Sequence, residues 1–220
     1  MDIYSTIQQE LGDKKVQLIA VSKKNPVEAV MNLYHKGQRD FGENIVQELV
    51  AKAGSLPADI RWHMIGHLQK NKVRQVLPIV SMIQSVDSVA LLELIDMEAG
   101  KIEKKIDILF EIKIAQEDSK YGFSVDELYG YLKPIDLNSF ANINFCGVMG
   151  MASFTDDVNI VRTEFKKLFQ CYATLKHDIF SETAEFNTIS MGMSGDYKIA
   201  IEEGSTMVRI GSLIFGERVY

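Results

Sequence analysis

The sequence predicts an α/β fold, a single (β/α)8 TIM barrel preceded by a short N-terminal helix. Three observations carry that expectation. Short runs rich in β-branched and apolar residues alternate with longer stretches of helical periodicity, as in proteins built on a parallel sheet. The first run, VQLIAVS from Val16 to Ser22, is nearly all apolar, as a strand buried on both faces must be. Eight such units fit within 220 residues with no linker or low-complexity segment between them, the size of one barrel domain spanning residues 1–220. An open doubly wound sheet is the alternative to closure.

The elements follow in order. Ile3 to Leu11 reads as a helix. After the first strand, Pro26 sits at a first helical position, and Val27, Val30, Met31 and Tyr34 recur at helical spacing until Gly37 closes the helix. Further strands are expected at 40–42, 61–65, 82–85, 106–114, 145–151, 186–190 and 206–210. Helices are expected over 44–53, 69–77, 88–104, 124–132, 157–177 and 195–203, with no clear helix after the last strand.

The chain is 46% hydrophobic and 25% charged, the balance of a soluble globular protein with one sizeable core. A net charge of −6 repels phosphate backbones, so a nucleic-acid partner is not expected, although a local pocket for one small anion is compatible with it. The longest apolar stretch, around Val76 to Ile83, is interrupted by Pro78 and Ser81 and is too short to span a bilayer. No basic and apolar leader is visible at the N-terminus. These features predict a cytoplasmic protein without a membrane partner, a monomer or weak dimer. Cys146 and Cys171 form no CxxC pair and read as reduced, buried thiols.

In barrels of this class the chemistry gathers at the C-terminal ends of the strands. The polar residues there are Ser22-Lys23-Lys24, Gly42-Glu43-Asn44, Gly66-His67, Asp87, Met191 to Asp196, and Gly211-Ser212. Alternation puts Ile19, Val21 and Lys23 on one face. If that face is the interior, Lys23 points into the barrel mouth, where partial desolvation favours the neutral amine that imine formation requires. The plainer alternative is a strand-end lysine reaching for water. The turns Ser190-Met191-Gly192-Met193-Ser194-Gly195-Asp196 and Arg209-Ile210-Gly211-Ser212 follow the last two strands, where barrels of this class recurrently bind phosphate. Ser194 either donates to phosphate or caps a helix starting near Gly195. Arg209 interrupts an apolar strand and needs a partner, either an internal carboxylate or a cofactor ring nitrogen. His63 and His67 are four apart, but Gly66 breaks the phase between them and no carboxylates accompany them, so no metal site is expected.

Several blocks in order then resemble a known family. They are Ala20-Val21-Ser22-Lys23, Gly37 to Asn44 with Val46-Gln47-Glu48, Trp62 to Gln69, Ser119-Lys120-Tyr121-Gly122, Ser190 to Ser194, and Gly204 to Gly211. Together they are similar to the pyridoxal phosphate homeostasis proteins. The resemblance implies a fold-type III barrel like the N-terminal domain of alanine racemase, binding pyridoxal 5'-phosphate as a Schiff base on Lys23. It implies Ser194, Gly211 and Ser212 as a phosphate cradle, Arg209 facing the pyridine nitrogen, and Asn44 as a further contact. Many family members read Ser-Lys-Thr-Lys-Pro where this chain reads Ser-Lys-Lys-Asn-Pro, so Asn25 stands in place of the second lysine. Any role of that lysine, such as cofactor transfer, is therefore in question here.

Three functions follow as expectations. The first is a non-catalytic carrier in vitamin B6 homeostasis that stores, buffers or delivers pyridoxal phosphate, with cofactor-dependent apoenzymes as recipients. An arginine on the ring nitrogen weakens the electron sink. The chain reaches Tyr220 without the further domain that supplies the opposing base in alanine racemase. The second is a small racemase or decarboxylase with an unidentified internal base. The third is a barrel binding a plain phosphate ester without an imine.

Overall fold

The computed structural model describes residues 2–116 and 121–216. Among them, eight strands run β1 (Gln17–Val21), β2 (Asp40–Glu43), β3 (Arg61–Met64), β4 (Val80–Val86), β5 (Ile106–Glu111), β6 (Ile143–Met149), β7 (Thr188–Ser190) and β8 (Met207–Ile210). Each pairs in parallel with the next, and β8 returns to β1 with Gln17 opposite Met207 and Ala20 opposite Ile210. The sheet is a closed barrel, which removes the open-sheet alternative.

The helices are α1 (Ile3–Asp13), α2 (Val27–His35), α3 (Val46–Ala53), α4 (Val73–Val76), α5 (Val89–Gly100), α6 (Val125–Leu132), α7 (Val158–Asp178), α8 (Tyr197–Glu202) and α9 (Ser212–Phe215). Pro26 is the extended residue before α2 rather than its first turn. The expected helix over 69–77 resolves into a 3-10 turn, Lys70–Lys72, and the single turn of α4. The expected strand over 106–114 stops at Glu111, and Ile112 makes only an isolated bridge to Phe123. After β8 the chain forms α9, one turn too short to announce itself by periodicity.

Two apolar layers hold the barrel. The larger lies between strands and helices and includes Leu18, Ala20, Phe41, Phe110, Phe165 and Val208. The smaller fills the interior with Ile19, Met82, Leu109, Cys146, Met149 and Met207. Alternation along each strand follows from this division: if Ile19 and Met207 point inward, so do Val21 and Arg209 two residues on. Cys146 and Cys171 are both buried, and burial pushes each thiol up to about 12. Among the described residues, no helix is long and apolar enough to cross a membrane.

Candidate functional site

A cavity of about 430 Å³ opens at the C-terminal ends of the strands. Lys23, Asn44, Ser194, Arg209, Gly211 and Ser212, six residues from four separate stretches of the chain, all line it. The inward face inferred for Lys23 from alternation is therefore the face it occupies.

The backbone carrying Lys23 is pinned from below. The Ser22 hydroxyl donates to Glu43 Oε1 at 2.6 Å, and Lys52 Nζ donates to the Ser22 carbonyl and to Glu43 Oε1, each at 2.7 Å. Lys52 also reaches Glu48, whose Oε1 accepts the Lys24 backbone N–H. Lys24 has φ +61, a left-handed conformation rare outside glycine, so the chain turns sharply just past the strand-end lysine. Asn25 donates through Nδ2 to the Lys23 carbonyl at 3.2 Å.

Arg209 is 4% exposed. It donates through Nη1 to the Ser190 carbonyl and hydroxyl and through Nη2 to the Gly150 carbonyl, at 2.8, 2.6 and 3.0 Å. All three acceptors are neutral oxygens, so the internal ion pair weighed from sequence is not formed through these contacts. Burial pulls its pKa down to about 10, with Asp196 and Glu111 opposing that from a distance, and it stays cationic at neutral pH.

A chain of hydrogen bonds leads from Arg209 through the barrel. Guanidinium can only donate, so the Ser190 hydroxyl accepts from it and passes its own proton to Gln84 Oε1 at 2.7 Å. That leaves the Gln84 amide N–H to donate to His63 Nδ1 at 3.1 Å. His63 then carries its proton on Nε2, facing Asp40 Oδ1 at 3.3 Å. Arg61 closes the chain with two hydrogen bonds to the Asp40 carboxylate at 2.7 and 2.6 Å. Burial alone would raise Asp40, but hydrogen bonds from His63 and Arg61 hold it far below the usual carboxylate range. His63 thus belongs to this interior chain.

The late turns converge as their glycines suggested. Ser194 does not cap a helix, since α8 begins at Tyr197 after Asp196. Its Oγ instead accepts the backbone N–H groups of Gly211 and Leu213 at 3.3 and 3.5 Å, which marks a spot where donors meet. A Cβ on Gly211 would lie 3.1 Å from the Val21 carbonyl, in the wall of the same cavity. Asn44 is held by the approach of Gly66, where a Cβ would sit 2.4 Å from the Asn44 carbonyl oxygen. Asn44 Oδ1 is buried and has no hydrogen-bond partner among the described residues. An open cavity of this size, a buried guanidinium in its wall, meeting backbone donors and an orphaned amide oxygen together suit a small ligand with an anionic end and a hydrogen-bonding ring.

Sequence reasoning missed a second lobe of about 290 Å³ that shares Met151, Ala152, Phe154 and Met193 with the first. Glu111 lines it, inward like Leu109 two residues earlier. Burial pushes its carboxyl up to about 7, with Asp87 adding and Arg209 opposing. The signal was present, because a charged residue in an otherwise apolar strand is what singled out Arg209. His67 has an orienting partner: its Nδ1 lies 2.7 Å from Asp87 Oδ2, and its ring stacks on Tyr121 at 3.7 Å between centroids. Ser119 and Lys120 of the matching motif lie outside the described residues.

A family model described as the alanine racemase N-terminal domain matches residues 4–219. A pyridoxal phosphate homeostasis protein of Vibrio alginolyticus is 38% identical over 212 residues, which is 94% of this chain and 88% of that one. Its human counterpart is 38% identical over 217 residues, 93% of this chain and 77% of that one. The chain belongs to the pyridoxal phosphate homeostasis protein family.

Solved structures agree with this. PipY of Synechococcus elongatus PCC7942 without PLP superposes with a TM-score of 0.90 at 33% identity, covering 97% of this chain and 98% of that one. The same protein with PLP bound gives 0.86 at 32% identity with the same coverage. An alanine racemase of Clostridium difficile, 14% identical with a TM-score of 0.73, shares the fold alone. Asn25, which stands where the family resemblance leads us to expect a second lysine, supports the Lys23 carbonyl through its amide.

Proposed function

We propose that this chain binds pyridoxal 5'-phosphate at the barrel mouth, through an imine to Lys23, and serves intracellular vitamin B6 homeostasis by storing, buffering or delivering it. One observation carries the reading: Lys23, Arg209 and the Ser194 and Gly211-Ser212 turns line a single cavity. The PLP-bound relative and the family's name support the same ligand. When bound, the cofactor supplies an electrophilic carbonyl carbon and a pyridine ring able to take up electron density.

The protein's own groups define what happens there. Ser194, Ser212 and the Gly211 backbone N–H hold the phosphate. Arg209, cationic at neutral pH, would offer a donor to the ring nitrogen of the bound cofactor and so favour its unprotonated form. That blunts the ring as an electron sink and favours holding over turnover. The Ser22–Glu43–Lys52 cluster fixes the strand end from which Lys23 reaches. The whole of residues 1–220 acts as one cytoplasmic binding unit, with cofactor-dependent apoenzymes as recipients. A second reading, a weak amino-acid racemase, is favoured by Glu111, whose carboxyl lies in the neutral range a general base needs.

The test is spectroscopic. The loaded protein has a visible imine band that borohydride removes, and Lys23→Ala lacks it. A colourless protein that binds phosphate esters overturns the imine. Exchange of the α-proton of L- and D-alanine in deuterated water, rapid in the wild type and abolished in Lys23→Ala, promotes the racemase; slow or absent exchange supports the carrier.

A further inference from the structure

We infer that the second lobe is a separate binding site for the ammonium group of a small primary amine with an apolar body, and that Glu111 is its anchor. The inference goes beyond cofactor binding and concerns a ligand of opposite charge.

Three observations carry it. Glu111 is 7% exposed and ends β5 with its side chain in the lobe wall. Among the described residues, no hydrogen bond or ion pair engages its carboxylate, whereas Glu98 and Glu164 are held by named donors and Glu43 is held through Oε1, its Oε2 alone lacking a partner. The rest of the lobe is largely apolar, with Ile114, Ala115, Met151 and Met193 in its walls. A carboxylate of a largely buried residue, with no protein donor and opening only on a mostly apolar lobe, is poorly solvated there at a cost, and a ligand that supplies the donor and the opposite charge relieves it. A phosphate or carboxylate ligand would worsen that cost, and a neutral apolar ligand would leave it in place. An ammonium on an apolar body satisfies both the acid and the walls.

The neighbours set the pH behaviour. The groups acting on Glu111 are Asp87 after β4 and Arg209 on β8, while Lys113 and Tyr121 stand in the lobe's own wall. Burial keeps the carboxyl protonated up to about pH 7, and only the carboxylate attracts a cation. Amine binding therefore strengthens from pH 5.5 to pH 8.5.

The experiment measures binding of n-butylammonium and n-butanol by ligand-observed NMR. It uses the full chain without added cofactor and the loaded chain after borohydride reduction, which prevents the amine from exchanging with Lys23. The expected result is that n-butylammonium binds the wild type and loses roughly ten-fold or more in Glu111→Gln. Butanol should bind weakly and equally to both proteins. The gain in amine affinity between pH 5.5 and 8.5 disappears in the variant. Ala115→Trp, which fills the lobe and leaves Glu111 in place, abolishes amine binding. Equal amine affinity in Glu111→Gln and wild type, butanol binding the wild type as well as the amine, or retention in Ala115→Trp overturns the site. A protein that never turns yellow refutes the cofactor reading, while this result on the cofactor-free chain still stands or falls by itself.

Discussion

Glu43 and Glu111 stand three strands apart in the same barrel and have opposite fates. Both end a strand, β2 and β5, and both are buried, at 0% and 7% exposure. Glu43 follows the outward phase of its strand and meets Ser22 and Lys52. Glu111 follows the inward phase and meets a cavity. The difference shows that burial alone does not mark function. A buried carboxylate anchored through one oxygen by an internal cation is scaffold, whereas one that opens on a cavity is, on our inference, a binding group.

The largest expected effect tests the scaffold half of that contrast. Lys52→Met removes the cation from Glu43 and from the Ser22 carbonyl while keeping the apolar stem. Leaving a buried carboxylate unpaired costs about 3–5 kcal/mol, read as a lowered urea midpoint with unchanged slope. A loss below about 1 kcal/mol would mean that Glu43 is already protonated in the folded state, a direction its burial favours.

The opposite sign is expected at Glu111. Its folded-state pKa of about 7 lies above the ordinary carboxyl value, so the folded form holds the proton more tightly. The stability it contributes is present below about pH 4.5 and is lost as pH rises towards 7. Glu111→Gln therefore matches the wild type near pH 4.5 and is the more stable protein at pH 8, by at most about 3 kcal/mol, read from paired thermal melts at the two pH values. A variant less stable than wild type at pH 8 breaks the contrast.

The smallest effect concerns the late turns. Gly211→Val brings a branched side chain against the Val21 carbonyl, 3.1 Å from where its Cβ would sit. It weakens pyridoxal phosphate by roughly ten-fold more than unphosphorylated pyridoxal, measured by titration of the two ligands. Equal weakening shows that these turns do not hold the phosphate.

How far each feature was legible follows from its setting. Lys23 and Arg209 stood out because each breaks an apolar strand whose alternation is unambiguous, and the barrel places both inward. Glu111 was hidden by an overlong strand. Ile112 and Ile114 continue its apolar pattern, so the strand end, where the chemistry gathers, was placed three residues late. The Ser194 cap failed because two more turn residues, Gly195 and Asp196, precede α8, and no periodicity marks so short a helix. Asp87 as the partner of His67, and Gln84 as the partner of His63, join the neighbouring strands β3 and β4, and a linear sequence does not show the register that brings those particular side chains together.

The hydrogen-bonded column from Arg209 to Arg61 gives the guanidinium a foundation rather than only a neighbourhood. Its footing is Asp40 and Arg61, at the opening strand positions where β2 and β3 begin, far from the mouth where ligands enter. Each joint has a fixed sense, because a group that can only donate stands at each end and an acceptor must answer it. Gln84 can therefore not be traded for glutamate, nor His63 for a residue that only donates, without reversing a joint. The mouth is free to be rebuilt for other partners or other rates of cofactor exchange, while the post that Arg209 forms at its centre keeps its place.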